Sequence, residues 1–275
     1  MKKSTLYIIL FSGLLFSSCL QKQIDLQLPP FHSQLVVEGY LEKNKPVQIA
    51  VSQTSNFFGT PDLTAVFLKK ATVVLSYRGT VDTLVFNPFP DFKHNKWFNY
   101  HLKNSDSIPL KNNVTYYLWV KDSTGRIVTA QTMWRDSVNI DSIKEIYTVV
   151  NKFRTDTVMR AYFKDNGATT DFYRFRAINH SRADSVRVDN FFADNLFNGE
   201  SFSLSTGRKF HKGDTCDIVL YHIDNDFFTF LNTARDADNA NGNPFASPAT
   251  IISNIKGGTG IFTCMPECNR RVVFK

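Results

Sequence analysis

Short segments in which apolar and polar residues alternate recur along most of this chain, and they constrain its fold more than any other feature. In "PVQIAVSQ", Val47, Ile49 and Val51 face one side, whereas Gln48 and Ser52 face the other. Side chains of a β-strand alternate between its two faces, so each such segment predicts a half-buried strand. The 25 Phe and 10 Tyr residues favour β structure too. The sequence therefore predicts a mainly β protein.

The predicted strands fall into two groups. Residues 32–136 hold about seven of them, which predicts an immunoglobulin-like or transthyretin-like β-sandwich. Its closing hairpin is "VTYYLWVKDSTGRIVTAQTMW", with a turn rich in Asp, Ser and Gly. The sequence becomes more polar after Trp134, and we place a second, mostly β domain over residues 137–275.

One short helix is expected in the second domain, near residues 226–239. Asp226 can cap its N-terminus. The apolar residues that follow at helical spacing are Phe227, Phe230, Leu231 and Ala234. We expect this stripe to pack on the second sheet.

The N-terminus has the pattern of a lipoprotein signal. In "MKKSTLYIILFSGLLFSSC", lysines precede an apolar run and a stretch of small residues that ends at Cys19. We expect residues 1–18 to be a signal peptide, Cys19 to be acylated, and residues 19–31 to be a tether. A plain secretory signal with a chance cysteine is the alternative. Acyl chains on Cys19 would anchor the chain to a membrane without a spanning helix.

The charge and the motifs of the chain exclude several function classes. The formal net charge of +7 is dispersed, without a long run of Lys or Arg, so we expect no nucleic-acid partner. Neither G-x-S-x-G nor H-E-x-x-H occurs in the sequence. We expect a non-enzymatic protein without a cofactor, although two carboxylates from distant strands would escape this test.

The segment 241–262, "NGNPFASPATIISNIKGGTGIF", offers several chemical interpretations. A phosphate loop needs a lysine after its glycines, and here the lysine precedes them. A calcium loop is out of register, because Ala237 and Pro248 fall where acidic ligands are needed. We therefore expect a structural crossing from the helix into a final strand, in which prolines end the helix and glycines let the backbone bend or pack closely. The residues of this motif are Asn241, Asn243, Pro244, Phe245, Ser247, Pro248, Ser253, Asn254, Gly257, Gly258, Gly260 and Phe262.

The segment "CMPEC" carries the sulfur chemistry of the chain. Its proline would bend the backbone, and in an exported chain a disulfide between Cys264 and Cys268 is predicted. Unpaired thiols are one alternative, and a copper or zinc site formed by Cys264, Met265 and Cys268 is another. Cys216 and His222 are too far apart along one strand to share an ion, so we expect both in the core.

The lipoprotein cysteine, "LVVEGYL" in the first predicted strand, and the late pattern N-P-F-x-S-P followed by S-N-I-x-G-G-x-G-x-F resemble the Bacteroidota lipoprotein family of domain of unknown function 4249. The resemblance covers nearly the whole mature chain. Members are typically found near TonB-dependent receptors of the outer membrane. It therefore implies an outer-membrane, lipid-anchored accessory or ligand-capturing partner of such a transporter, with the ligand and the membrane face left open. It supplies no catalytic residues.

Two other functions fit the residues as well. The first is that of a structural or adhesive surface module. The soft-metal site in "CMPEC" would instead make it a copper- or zinc-binding lipoprotein.

Overall fold

The structure is a computed structural model, and it describes residues 30–55, 67–92, 96–104, 107–151, 154–181, 187–207, 210–241 and 249–275. The predicted signal peptide, Cys19 and most of the tether lie outside these ranges. So do five residues of the late motif, Asn243, Pro244, Phe245, Ser247 and Pro248. Residues Ser33–Lys275 form one compact unit. Within the described ranges, no helix is both long enough and apolar enough to span a bilayer.

An eight-stranded sheet takes seven strands from the first half of the chain and one from near its end. Its strands, numbered in chain order, are β1 (Leu35–Leu41), β2 (Gln48–Gln53), β3 (Thr72–Tyr77), β4 (Thr80–Asp91), β5 (Lys96–His101), β6 (Thr115–Lys121), β7 (Ile127–Met133) and β14 (Thr259–Cys264). Their order is β14-β1-β2-β5-β4-β3-β6-β7. β14 runs parallel to β1, and the other neighbours are antiparallel.

The eight-stranded sheet is curled so that its two ends meet. The long strand β4 pairs with β3 through residues 80–84 and with β5 through residues 85–91, and the β5 pairing shifts register between Phe86 and Phe89. At the ends of the sheet, Thr129 of β7 exchanges backbone hydrogen bonds of 3.1 and 2.8 Å with Lys256. The first core fills the interior and includes Val37 and Leu118.

Two smaller sheets follow. The strands of one are β8 (Ile140–Asn151), β9 (Arg154–Lys164) and β12 (Ser201–Ser205); those of the other are β10 (Phe172–Asn179), β11 (Arg187–Ala193), β13 (Thr215–Ile223) and β15 (Glu267–Val273). Their orders are β12-β9-β8 and β11-β10-β13-β15. A second core, which includes Phe163, Phe175 and Leu220, lies between these sheets.

The helix α1 spans Asn225–Ala240, close to its predicted position. Its N-terminal cap is Asp224 rather than the predicted Asp226. Asp224 has an extended backbone, with φ −82° and ψ 165°, and its carboxylate accepts the N–H of Phe227 at 2.7 Å. Asp226 instead lies in the first turn, where its charge favours the helix dipole.

A third core joins the eight-stranded sheet to the four-stranded one. Tyr40 and Phe98 come from the first sheet, Tyr221 from β13, Phe227 from α1, and Met265 from the crossing between β14 and β15. The apolar stripe of α1, which we expected on the second sheet, therefore packs between the two sheets, with Phe230 and Leu231 at the margin.

The mainly β architecture with one helix is confirmed. One expectation about the late segment is wrong, because β14 is not the final strand. Only Met265 and Pro266 separate β14 from β15, which starts at Glu267 and belongs to a different sheet.

Candidate functional site

A groove of about 530 Å³ lies on the outer face of the β6–β7 hairpin, and we call it the hairpin groove. The hairpin forms its floor, and the start of α1 and residues 253–256 form its sides. The side chains that matter to its chemistry are Tyr117, Trp119, Gln131, Asp226, Ser253 and Lys256. The groove brings together three parts of the chain that are far apart in sequence.

The hairpin presents an aromatic floor because its strands alternate. Tyr116 and Leu118 point into the first core, so Tyr117 and Trp119 point outward. Tyr117 is half exposed. Gln131 lies opposite Tyr117, and Thr129 opposite Trp119, in the neighbouring strand β7.

The turn of the hairpin is held by a buried carboxylate. Asp122 accepts hydrogen bonds from the hydroxyl of Thr124 and from the backbone N–H of Arg126 at 2.8 Å, and it pairs with the Arg126 guanidinium at 2.7 Å. Arg126 also donates to the carbonyl of Ser33 at 2.9 Å. Burial pushes the pKa of Asp122 up, but these donors outweigh it and leave the pKa below its ordinary value. The network fixes the end of the floor.

The late motif forms one wall of the groove. The side-chain amide of Asn254 donates to the carbonyl of Phe262 and accepts its N–H, which ties the wall to β14. The hydroxyl of Ser253 accepts the N–H of Ile255 at 3.0 Å. Lys256 is bridged to Thr129 through the backbone, so its side chain is held at the groove.

The glycines of the motif let β14 approach its neighbours. A Cβ on Gly258 would lie 2.6 Å from the carbonyl oxygen of Leu35, and one on Gly257 would lie 2.7 Å from that of Ile127. Gly260 is tighter still against Val37, and its φ of +118° is strained for any other residue. The glycines therefore serve close backbone packing against β1 and β7.

The remaining residues of the motif have structural positions. Asn241 ends α1, and its backbone N–H donates to the carbonyls of Ala237 and Asp238 at 3.1 Å each. Phe262 is fully buried in the first core.

The start of α1 forms the other wall. Asp224 is anchored by the hydroxyls of Thr132 and Thr263, at 3.0 and 3.1 Å, and its burial raises its pKa. Asp226, two residues on, is exposed and points at the groove. A second groove of about 300 Å³ shares Gln131 and Asp226 with the first and continues past Met133.

The groove carries polar groups that no described part of the chain satisfies. Among the described residues, the side chains of Gln131, Asp226 and Lys256 have no hydrogen-bond or ion-pair partner. The same holds for the Tyr117 hydroxyl and the Trp119 indole N–H. Donors and acceptors thus surround two aromatic rings and are free to meet a ligand.

The sulfur residues of "CMPEC" are not brought together. Cys264 points into the first core, Met265 into the third, and Cys268 into the second. Cys264 pairs with Leu41 in the first sheet, whereas Cys268 pairs with Leu220 in the four-stranded sheet. Neither thiol forms a disulfide, and the Cys268 sulfur accepts the backbone N–H of Ile140 at 3.4 Å. The predicted disulfide and the alternative soft-metal site are therefore wrong, because the chain crosses between sheets within this segment.

Cys216 and His222 lie on one face of β13, as expected, and their side chains do not share a site. Burial raises the pKa of the Cys216 thiol to about 12. The ring of His222 contacts the carbonyl of Asp136 at 2.7 Å and a carboxylate oxygen of Asp171 at 3.0 Å. Both residues belong to the packed interior.

Three carboxylates of the described structure lie close enough together to hold a metal ion. The sequence did not single them out. Ligand oxygens of Asp165, Asp171 and Asp194, all buried, lie within 4.8 Å of one another. Each carboxylate already has a protein partner: the Tyr173 hydroxyl donates to Asp165 at 2.5 Å, the His222 ring contacts Asp171 at 3.0 Å, and the N–H of Asp171 donates to Asp194 at 2.8 Å. This group acts as a polar network that ties the ends of β9 and β11 to the start of β10.

Residues 253–256 also match the S-x-x-K pattern of some serine nucleophiles. A nucleophile needs its base within hydrogen-bond reach. No hydrogen bond joins the side chains of Ser253 and Lys256 in this described segment, and the Ser253 hydroxyl already accepts a backbone N–H. The S-x-x-K match therefore assigns no catalytic role to Ser253 or Lys256.

Three comparisons with known proteins extend these observations. The sequence model of the family described as "Domain of unknown function (DUF4249)" matches residues 21–271. A search of curated proteins finds no match.

Solved structures give weak likenesses. One titled "Cytokine receptor complex - Crystal form 1A" is 9% identical, with coverage of 68% of this chain and 82% of that chain and a TM-score of 0.25. Another, titled "Structural basis of neurohormone perception by the receptor tyrosine kinase Torso", is 11% identical, with coverage of 80% and 82% and a TM-score of 0.22. Both TM-scores are too low to indicate a shared fold.

Proposed function

Because this chain belongs to the DUF4249 family over nearly its whole length, we propose that it acts as a non-enzymatic, lipid-anchored envelope protein that captures a ligand or partner in the hairpin groove. The receiving protein in this proposal is a TonB-dependent transporter of the outer membrane. The observation that carries the capture role is the set of accessible polar groups around Tyr117 and Trp119 that have no protein partner among the described residues. Binding sites combine such convergent polar groups with aromatic surface.

The lipid anchor and the transporter partner are proposed from the sequence. The lipoprotein pattern that ends at Cys19 supports attachment to a membrane through acyl chains. The resemblance to lipoproteins found near TonB-dependent receptors supports the outer membrane and the transporter. A lipid-anchored protein stays close to a membrane receptor, and this raises the effective concentration of one for the other.

The test is co-purification of the full-length, lipidated chain with outer-membrane receptors in mild detergent. We expect a TonB-dependent receptor to be recovered with the wild-type chain and lost with Trp119→Ala. The matched control is Trp97→Ala, because Trp97 is 55% exposed on β5, outside the groove. Cys19→Ala should release the chain from the membrane fraction.

Recovery of the wild-type chain without any receptor contradicts the transporter role. If such a chain nevertheless binds host or matrix material through the groove, the adhesive module is the better function. Equal recovery with Trp119→Ala and Trp97→Ala contradicts the groove as the capture site.

A further inference from the structure

We infer that the hairpin groove binds an uncharged oligosaccharide. The inference rests on the proposed function, since it names the ligand class of the same groove.

The floor suits the ring of a sugar. Tyr117 and Trp119 are both on the outward face of β6, two residues apart, so their rings share one surface. Aromatic rings offer a flat apolar face with a polar handle at the edge. A pyranose has a matching apolar C–H face and hydroxyls around its edge.

The polar groups of the groove suit a ligand rich in hydroxyls better than a ligand whose charges all have one sign. The Gln131 amide both donates and accepts, the Asp226 carboxylate accepts, and the Lys256 ammonium and the Trp119 indole N–H donate. A hydroxyl can serve every one of these groups, because it donates and accepts at once. A ligand without hydroxyls would cover these groups and leave them unpaired, which lowers affinity.

The charges at the groove balance. Asp226 and Lys256 are the charged side chains that line it, one acidic and one basic. A site for phosphates or polyanions needs an excess of positive charge, and a site for cations needs an excess of negative charge. The balance therefore favours an uncharged ligand.

A peptide strand is a poorer fit. Binding of a peptide by strand addition needs free backbone groups on a sheet edge. At the groove, both backbone groups of Thr129 are already bonded to Lys256, at 3.1 and 2.8 Å. The edge of β7 is closed at this point.

The size of the site favours an oligomer. The groove of about 530 Å³ lies within the range of small-molecule sites, and the adjoining groove of about 300 Å³ shares Gln131 and Asp226 with it. A chain of sugars can follow both grooves past a common pair of polar side chains.

The experiment is a fluorescence titration of the full chain with maltohexaose, cellohexaose, xylohexaose and mannohexaose, repeated by calorimetry. The protein contains three Trp residues. Trp134 is buried, so a Trp97→Phe background leaves Trp119 as the more accessible indole, in a partly buried position. We expect at least one hexaose to change its emission in a saturable way.

Variants then locate the binding. Gln131→Ala and Asp226→Ala each should weaken binding of that hexaose about tenfold, since each removes a hydrogen-bond partner. Both residues are exposed, so Gln131→Ala should leave the melting temperature unaltered, and Asp226→Ala should lower it only slightly because it removes a favourable charge near the start of α1. Asp141→Ala is the matched control, because Asp141 is exposed on β8 and does not line the groove.

Two outcomes overturn the inference: none of the hexaoses binds, or a polygalacturonate hexamer binds as well as the best neutral one. Failure of the sugar inference can be distinguished from failure of the proposed function. Receptor capture that needs Trp119, without any sugar binding, leaves the function standing and removes the sugar. Sugar binding without receptor capture does the reverse.

Discussion

The side-chain amide of Asn254 holds both backbone polar groups of Phe262. Its Nδ2 donates to the Phe262 carbonyl oxygen at 2.8 Å, and its Oδ1 accepts the Phe262 N–H at 3.0 Å. Phe262 lies in β14 and is fully buried, whereas Asn254 lines the hairpin groove. One side chain therefore couples the wall of the groove to the parallel edge of the sheet.

Asn254→Ala should lower the free energy of unfolding by about 1–3 kcal/mol, since it leaves two backbone groups of Phe262 without their partners. Urea unfolding followed by circular dichroism measures the change. Asn254→Asp is the informative control, because a carboxylate still accepts the N–H but cannot donate to the carbonyl; it should lose part of the stability. A variant as stable as the wild type would show that water replaces the amide.

Gly260→Ala should destabilise the protein severely, by about 4 kcal/mol or more, because a Cβ there collides with the carbonyl of Val37. Gly79→Ala is the matched control: Gly79 has φ +79° and open space around its Cβ position. Its cost should be about 1 kcal/mol, from the backbone alone. The measurement is the midpoint of urea unfolding, or the soluble yield if Gly260→Ala does not fold. Equal losses in the two variants would mean that close packing against β1 is unimportant.

The pH dependence of the unfolding free energy should show the contribution of the Asp122 charge to stability. Its pKa is lowered in the folded state, so the folded protein binds fewer protons near that pKa than the unfolded chain does. The stabilisation is therefore complete above the unfolded pKa of about 3.9 and is lost as the pH falls through the folded pKa. Asp122→Asn should cost about 1–3 kcal/mol at neutral pH. The difference from the wild type should shrink below about pH 4.

The control for Asp122 is Asp141→Asn, an exposed carboxyl that should leave both the stability and its pH profile unchanged. A difference between Asp122→Asn and wild type that stays constant at acidic pH would contradict the role of the charge. Unfolding free energies from urea titrations at a series of pH values give the profile.

The thiols should be free in the purified mature chain. Alkylation after denaturation, without a reductant, should modify Cys216, Cys264 and Cys268, and intact mass spectrometry counts the adducts. In the native protein Cys268 should react first, because Cys216 and Cys264 are buried and burial raises the pKa of both thiols. A mass that shows a Cys264–Cys268 bond would contradict the separation of these residues into different cores.

The strands were predictable because their evidence is local. The alternation of Val47, Ile49 and Val51 is visible within a few residues, and it matches a strand whose buried residues are Ile49 and Val51. The helix followed from its apolar spacing, and only its cap was misplaced. Asp224 and Asp226 look alike in sequence, and the backbone angles that distinguish them arise on folding.

The candidate site was not predictable, because its residues come from distant segments. Trp119, Asp226 and Lys256 meet through pairings of β7 with residue 256 and of α1 with the first sheet, neither of which has a local signal. The prediction for the sulfur residues was wrong for the opposite reason. Cys264 and Cys268 are close in sequence, yet the chain changes sheets between them and sends their side chains to separate cores.

The parallel pairing of β1 with β14 has a consequence for how the chain is made and moved. Register partners such as Val37 and Gly260 lie near opposite ends of the sequence. A ribosome or a secretion channel delivers the chain from its N-terminus, so the edge of β1 stays open until the last few dozen residues have emerged. Until then the first sheet exposes strand edges and apolar surface, which are prone to aggregation. A truncation before β14 would leave β1 paired with β2 alone, with its other edge open to strands of neighbouring molecules.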